Sequence, residues 1–393
     1  MLLRAQPAER VAWLGNLGIG LLATAYGAAL PALVHELHRG YAALSLLFVV
    51  LAVGNTFAYF LANPLIDRFG AQRVLHVGLL LFVVGGLALG VVQSFAAWVA
   101  ATLVAGVAFS LVDVGASRLV GAMYRSHPAQ ALNRLNIFFG IGAIAAPVII
   151  GLSVHLGGGP QPAFLAIALC GAVGGTALVR IPLPPSEPVV HRDPDDSLVR
   201  YFGRARWLQL LTLLVFFYIA AEVGFGSWIA AYEHQRAGIS TALSALYPAA
   251  YQVGLTVVRL FVGRSLASLR LERLLALGGL VAAAASLLAA LGGQNPWFAL
   301  IGAFLAGAGF GPVFPIALGI ASLRGPGREG WTYGAVFSAL ALAALIAPWS
   351  EGQVFSRMPQ LALLLTPLCA VMVVVFAMML GRTSAGPTEA AQG

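Results

Sequence analysis

The chain has 393 residues, of which 60% are hydrophobic and only 9% are charged. Soluble globular domains carry about 25% charged residues, so this chain lacks the polar surface that a water-exposed fold needs. The composition excludes an ordinary soluble enzyme, a disordered chain and a disulfide-rich secreted domain, and it indicates an integral membrane protein.

Twelve apolar runs follow one another along the chain, most of them close to the 20 residues that cross about 30 Å of hydrocarbon. They are too long and too continuous for barrel strands, which alternate over about ten residues. We therefore predict helices, the first being an uncleaved span because it is longer than the apolar region of a signal peptide. The predicted spans are residues 11–34, 42–63, 74–93, 95–122, 134–156, 161–181, 207–232, 243–264, 272–292, 297–320, 331–349 and 360–381.

Arginine sets the predicted orientation, because every basic side chain behind the net charge of +8 is Arg. With the N-terminus inside, seventeen Arg fall on the cytoplasmic side, and three, Arg39, Arg236 and Arg357, fall on the other side. This positive-inside bias predicts that both termini are cytoplasmic and that the Arg excess does not mark a nucleic-acid site. Two further Arg, Arg118 and Arg259, lie within spans.

A Pro-, Asp- and Arg-rich stretch at residues 182–206 divides the chain at its midpoint and is predicted to be a cytoplasmic linker. It separates a six-helix half at residues 1–181 from a second half at residues 207–393. The halves resemble each other in sequence at offsets of 196 and 201 residues. Two six-helix halves in parallel repeat are typical of transporters. The matched segments are Asp67-Arg68 with Gly263-Arg264, Gly106–Phe109 with Gly307–Phe310, and Ala145–Pro147 with Ile346–Pro348.

The segment between the second and third spans resembles the signature loop of the major facilitator superfamily. It reads Asn63-Pro-Leu-Ile-Asp67-Arg68-Phe-Gly70-Ala-Gln-Arg73, against the family's Gly-x-x-x-Asp-Arg-x-Gly-basic-basic. Asn63 replaces the first Gly, and Ala71-Gln72 replaces the basic pair. The resemblance implies a twelve-helix fold of two pseudo-symmetric bundles. It also implies a cytoplasmic gating loop, for which the candidate residues are Asp67, Arg68, Gly70, Arg73 and Arg264.

Three further segments resemble the branch of fucose, galactose and glucose:proton symporters and their sodium-dependent glucose transporter relatives. They are Val112–Ser117, Leu132–Gly142 and Ala221–Trp228. Asn136 stands where that branch has His, and Ser117 where it has Asn. The resemblance implies a sugar as the solute and a proton or sodium ion as the coupling ion.

Two acidic residues, Asp113 and Glu222, lie near the middle of predicted spans. A charge at the bilayer centre costs about 2.5–3.5 kcal/mol even on insertion scales, so such an acid is neutral, paired or in contact with water. In the resembling family these acids fall on cavity helices of opposite halves, and we predict that at least one is the coupling group. Asp113 could instead neutralise Arg118 or Arg259, whereas Glu222 has no obvious local partner.

Polar and aromatic residues in the spans are candidates for contact with the solute. Each alone is more often a packing or interfacial residue, because Trp and Tyr favour membrane interfaces. Together they would suit stacking on a polyol and hydrogen bonding to it. The predicted substrate-binding residues are Tyr26, Asn55, Asn136, Tyr218, Trp228, Gln252 and Tyr333.

Other functional classes have little support in the sequence. It contains no His-Glu-x-x-His zinc motif and no Walker-type phosphate loop, so we predict neither an enzyme nor an ATP-driven pump, and no cofactor or metal. We predict a monomeric secondary transporter of a small solute in the cell (inner) membrane. The alternative within transport is proton-coupled efflux of drugs or other small organic compounds.

Overall fold

The structure is a computed structural model that describes the backbone of residues 6–124, 128–181, 198–265, 270–292, 295–326 and 328–383. Within these ranges it contains helices and no strand. The helices are α1 (Pro7–Glu36), α2 (Tyr41–Phe69), α3 (Ala71–Val91), α4 (Phe95–Met123), α5 (Pro128–His155), α6 (Gln161–Val179), α7 (Leu198–Arg204), α8 (Arg206–Ala237), α9 (Thr241–Ser244), α10 (Leu246–Ser265), α11 (Leu271–Leu291), α12 (Pro296–Phe310), α13 (Val313–Arg324), α14 (Glu329–Arg357), α15 (Pro359–Ala362) and α16 (Leu365–Leu380).

Eleven helical stretches of the described residues are long and apolar enough to cross a membrane. They coincide with eleven of the twelve predicted spans, and two of them, Pro296–Arg324 and Pro359–Leu380, each combine two consecutive helices. The remaining predicted span corresponds to α10, a 20-residue helix that carries the polar residues Gln252 and Arg259. The prediction of an all-helical membrane fold is confirmed.

Two predicted helix ends are wrong. The second span was expected to end at residue 63, but α2 continues to Phe69, so most of the presumed loop is helical. Gly70 then adopts a φ of 86°, which favours glycine, and this turn separates α2 from α3. The eleventh span was expected to end at residue 349, but α14 continues to Arg357.

The chain folds into two compact units, Met1–Val190 with Ile229–Ala249, and His191–Trp228 with Ala250–Gly393. In the first unit α1 packs on α5 and α6, and α4 packs on α2 and α3. In the second unit α11 packs on α12, α13 and α16. Residues 182–197 of the predicted linker lie outside the described residues, so the linker and the domain bounds remain predictions.

Glycines allow a close crossing of the second and fourth membrane helices in each unit. In the first unit, an added Cβ at Gly54 of α2 would lie 2.6 Å from the carbonyl oxygen of Leu103, and one at Gly106 of α4 would collide with the backbone of α2. In the second unit, Gly254 of α10 and Gly307 of α12 make the same reciprocal contact. Small residues at such crossings let two membrane helices approach backbone to backbone.

Candidate functional site

The first unit contains a row of polar contacts between α2 and α4, which we call the polar ladder. Residues four apart lie on one face of a helix, so three side chains of α2 face α4 at successive levels. The ladder consists of Asn55, Tyr59 and Asn63 on α2, and Ser110, Asp113 and Arg118 on α4.

Asp113 occupies the middle level of the polar ladder. The Tyr59 hydroxyl donates to its carboxylate, and the Tyr59 side chain is 36% exposed. One level away, the Ser110 hydroxyl contacts the side-chain oxygen of Asn55 and lies 2.7 Å from its backbone oxygen. The coupling candidate of this unit is therefore held by a neutral donor and is partly accessible.

The possible ion pairs of Asp113 do not form in this structure. The Arg118 guanidinium instead donates to the side-chain oxygen of Asn63 at 2.9 Å. Arg259, the other candidate partner, makes its ion pair with Glu222 in the second unit. The expectation that Glu222 lacks a partner is therefore wrong.

The second unit places Glu222 in a cluster of helices α8, α10 and α12. Arg259 of α10 lies 3.3 Å from the Glu222 carboxylate and 3.1 Å from the hydroxyl of Tyr218, one turn away on α8. The side chains of Arg259 and Glu222 are 30% and 16% exposed. Glu222 is thus a carboxylate with a fixed counter-ion.

A helix break supplies a further partner for the same guanidinium. The Nε of Arg259 donates to the carbonyl oxygen of Gly311 at 3.2 Å, where α12 gives way to α13. Pro315 stands four residues beyond Gly311 and has no N–H, so that carbonyl has no donor in its own helix. Arg259 therefore satisfies an acceptor that the proline leaves open.

Aromatic side chains enclose the Glu222–Arg259 pair. The ring of Tyr218 is fully buried and packs on Phe310 and Phe314 at centroid distances of 5.8 and 6.3 Å. Tyr251 is also fully buried, lies close enough to interact electrostatically with Glu222, and its hydroxyl has no hydrogen-bond partner among the described residues.

The glycine crossings correct the register of the repeat. Gly54 and Gly254 are 200 residues apart and Gly106 and Gly307 are 201 apart, so the offset of 196 inferred from Asp67-Arg68 is wrong for these helices. At the corrected offset Tyr59 corresponds to Arg259. Each half therefore places the partner of its intramembrane acid at the same position.

The predicted substrate-binding residues fall into two groups. Tyr26 and Trp228 are about 1% exposed and pack in the interior. The hydroxyl of Tyr26 donates to Thr102 at 2.9 Å, and the indole N–H of Trp228 donates to the carbonyl of Pro348 at 2.8 Å. Their polar groups are used in packing in this structure, and their contact with a solute remains a prediction. By contrast, Asn136 is exposed, and Asn55, Gln252 and Tyr333 are partly exposed.

The predicted gating residues lie at the turn between α2 and α3. Asp67 and Arg68 are exposed on the last turn of α2, and Arg73 is exposed on the first turn of α3. The Arg68 guanidinium lies 5.3 Å from the ring centroid of Phe69. The side chain of Arg264 lies outside the described residues, so the gating role remains a prediction.

Two charged clusters at helix ends were missed by the sequence reasoning. In the first unit, Glu9 is 1% exposed and pairs with Arg134 at 2.7 Å, while the Tyr124 hydroxyl donates to the same carboxylate. This hydrogen bond to Glu9 raises the pKa of Tyr124 above its ordinary value. In the second unit, Arg324 pairs with Glu272 at 2.6 Å.

Comparisons with solved structures reveal the same fold in transporters. A D-xylose:proton symporter matches with a TM-score of 0.80 at 14% identity, covering 97% of this chain and 98% of that chain. The fucose:proton symporter of E. coli matches with a TM-score of 0.62 at 18% identity, covering 95% and 99%. A bacterial homolog of the human lysosomal transporter Spinster matches with a TM-score of 0.78 at 13% identity, covering 97% and 98%.

At sequence level, no curated protein matches the chain. The family model of the Major Facilitator Superfamily nevertheless matches residues 12–348. With the multi-pass helical fold and the transporter structures that share it, this match shows that the chain belongs to the major facilitator superfamily.

Proposed function

We propose that this protein is a secondary active transporter that moves a small polar solute, a sugar in the first instance, together with a proton by alternating access. It acts as a monomer in the cell (inner) membrane with both termini in the cytoplasm, as the arginine bias predicts. Two structures that share the fold belong to sugar:proton symporters, one for D-xylose and one for fucose, which supports sugar as the first solute class to test.

The observation that carries the proposal is the contact between Tyr59 and Asp113. A carboxylate held by a neutral hydroxyl can accept a proton without leaving an unpaired cation behind. Protonation of Glu222 would leave Arg259 without its counter-ion, and an unpaired charge in a low-dielectric site is costly. Asp113 is therefore the better proton carrier, and Glu222 with Arg259 is a standing ion pair.

Solute binding is assigned to polar side chains that retain exposed surface. Asn55, Asn136, Gln252 and Tyr333 carry donors and acceptors that match the hydroxyl groups of a sugar. Tyr218, the remaining candidate, is fully buried, and its hydroxyl accepts a hydrogen bond from Arg259, so we count it as a wall of the Glu222–Arg259 pair rather than as a first solute contact.

A ligand screen followed by transport assays tests the function. Thermal shift of the purified protein is measured with pentoses, hexoses and lipophilic cations, and the most stabilising sugar is then offered to proteoliposomes. We expect uptake against its concentration gradient when the outside is acidic, and no accumulation with a sodium gradient at equal pH. Stabilisation by lipophilic cations alone would favour the efflux alternative, and accumulation driven by sodium alone would overturn proton coupling.

A further inference from the structure

Besides Glu222, the membrane-spanning helices of the second unit contain a buried acid, Glu351. Glu351 was predicted to follow the eleventh span, but α14 continues past it to Arg357. Glu351 is only 3% exposed, and its Oε2 atom is buried with no hydrogen-bond partner among the described residues. The transport mechanism proposed above does not use this carboxyl group.

The Glu351 carboxyl group packs directly against the backbone of α8. A Cβ added to Gly224 would lie 2.6 Å from its carboxyl carbon, so only glycine leaves room for the acid. Trp228, one turn further along α8, donates to the carbonyl of Pro348, and its ring lies 5.1 Å from that of Phe355. The acid is thus held in a close contact between two helices.

The described residues around Glu351 provide no positive charge that could compensate a negative charge on its carboxyl group. Within the described residues, no arginine lies within ion-pair distance of its carboxylate. The α8 residue against it is a glycine, and the titratable group that interacts with it electrostatically is the thiol of Cys369 on α16. A carboxylate in such a site, buried and without a counter-ion, would be strongly disfavoured, so the group binds a proton instead.

We propose that Glu351 is a second proton-binding site of the carrier. Its carboxyl group is protonated and neutral while α8 and α14 pack together at Gly224. When these two helices separate, water reaches the acid, its O–H bond breaks, and the proton passes to water while the carboxylate remains. The inference rests on the proposed use of a proton as coupling ion, but its test does not depend on transport.

Infrared spectroscopy of the purified protein tests the site, because a carboxylic acid has a C=O stretch that a carboxylate lacks. The variant is Glu351→Gln, a neutral side chain of nearly the same shape. We expect the wild-type-minus-variant spectrum at neutral pH to contain one carboxylic-acid band. Titration should also show that the variant binds about one proton fewer per molecule between acidic and alkaline pH. The matched control is Glu272→Gln, which removes an acid that is ion-paired with Arg324 and should remove no such band.

If Glu351→Gln is poorly folded, a second variant that leaves the acid in place tests the same site. In Gly224→Ala the new methyl group displaces the carboxyl group from its contact, so at neutral pH the band should be weaker than in wild type. Absence of the band from wild-type protein, or its persistence in Glu351→Gln, would overturn the site. Failure of the proposed function is distinguishable, because it would appear as accumulation driven by sodium alone, or as thermal stabilisation by lipophilic cations alone, whatever the protonation state of Glu351.

Discussion

The two halves of the protein share a helix crossing but surround their central acids differently. In both, paired glycines bring the second and fourth helices of the half into backbone contact. At one equivalent position the first half has Tyr59 and the second has Arg259. The repeated crossing therefore places the partner of each acid at the same position, and the residue there is a neutral hydroxyl donor in one half and a cation in the other.

The surroundings of the two acids extend this difference. Asp113 belongs to a ladder of polar contacts, whereas Glu222 lies beside buried aromatic rings, and both acids are partly exposed. The two acids therefore differ in the charge of their partners rather than in their accessibility. We therefore expect changes in the first half to affect coupling and changes in the second to affect stability and binding.

The largest expected effect is the loss of coupling in Asp113→Asn. A gradient of 100 mV supplies about 2.3 kcal/mol per proton, which supports about fifty-fold accumulation of the solute. In the variant this ratio should fall to about one, while exchange of labelled for unlabelled solute continues. Uptake and counterflow in proteoliposomes measure both. Wild-type accumulation by the variant would remove the functional distinction between the halves.

Alanine at the shared crossing tests what the halves have in common. Gly106→Ala and Gly307→Ala each place a methyl group against the backbone of the facing helix, and we expect each to cost about 2–3 kcal/mol of stability. Thermal denaturation in detergent gives the comparison. Gly121→Ala and Gly319→Ala are the matched controls, since an added Cβ there meets no atom within 4 Å. A large effect in one half only would show that the crossings are not equivalent.

Breaking the ion pair of the second half should cost less stability than alanine at the helix crossing, and a second substitution should recover part of the loss. Glu222→Gln leaves Arg259 without its counter-ion, and because that side chain is 30% exposed we expect a cost of about 2 kcal/mol rather than the 3–5 of a sealed pair. Removing the cation as well, in Glu222→Gln with Arg259→Gln, should restore part of the loss. Asp113→Asn should cost less than about 1 kcal/mol, because asparagine still accepts from Tyr59. Equal melting temperatures for the single and double variants of the pair would contradict this account.

The smallest expected effect is a slower uptake by Tyr59→Phe. The Tyr59 hydroxyl is the donor that holds the Asp113 carboxyl group, so its loss leaves the coupling group less well positioned. We expect the initial rate of proton-driven uptake in proteoliposomes to fall by about fivefold, the equivalent of one hydrogen bond of about 1 kcal/mol. Tyr26→Phe, which removes a hydroxyl from the interior of the same half, is the control and should leave the rate unchanged.

The sequence alone was sufficient for the spans, because an uninterrupted hydrophobic run of about 20 residues is typical of a membrane-crossing helix and rare elsewhere. It also identified Asp113 and Glu222, since acids are rare at such depth. It could not pair Glu222 with Arg259, because that contact depends on the relative register of two helices and the best-matched motif suggested the wrong offset. Comparing the spacing of Gly54 and Gly106 with that of Gly254 and Gly307 was the available signal.

The misplaced end of the eleventh span and the burial of two candidate aromatic residues were hidden from the sequence for different reasons. Hydropathy falls at Ser350, Glu351 and Gln353, so a span defined by composition ends too early and the buried acid is counted as a loop residue. Tyr26 and Trp228 were counted as solute contacts because the sequence of a membrane helix does not distinguish a ring that faces a cavity from one that packs on a neighbour.

Through its hydrogen bond to Gly311, the side chain of Arg259 connects α8 with the junction between α12 and α13. Its guanidinium is attached at one end to the carboxylate of α8 and at the other to the carbonyl that Pro315 leaves open between α12 and α13. Any change in the bend at that junction would lengthen the bond to Gly311 or move the positive charge relative to Glu222. The angle between α12 and α13 and the electrostatic environment of Glu222 are therefore linked through one side chain.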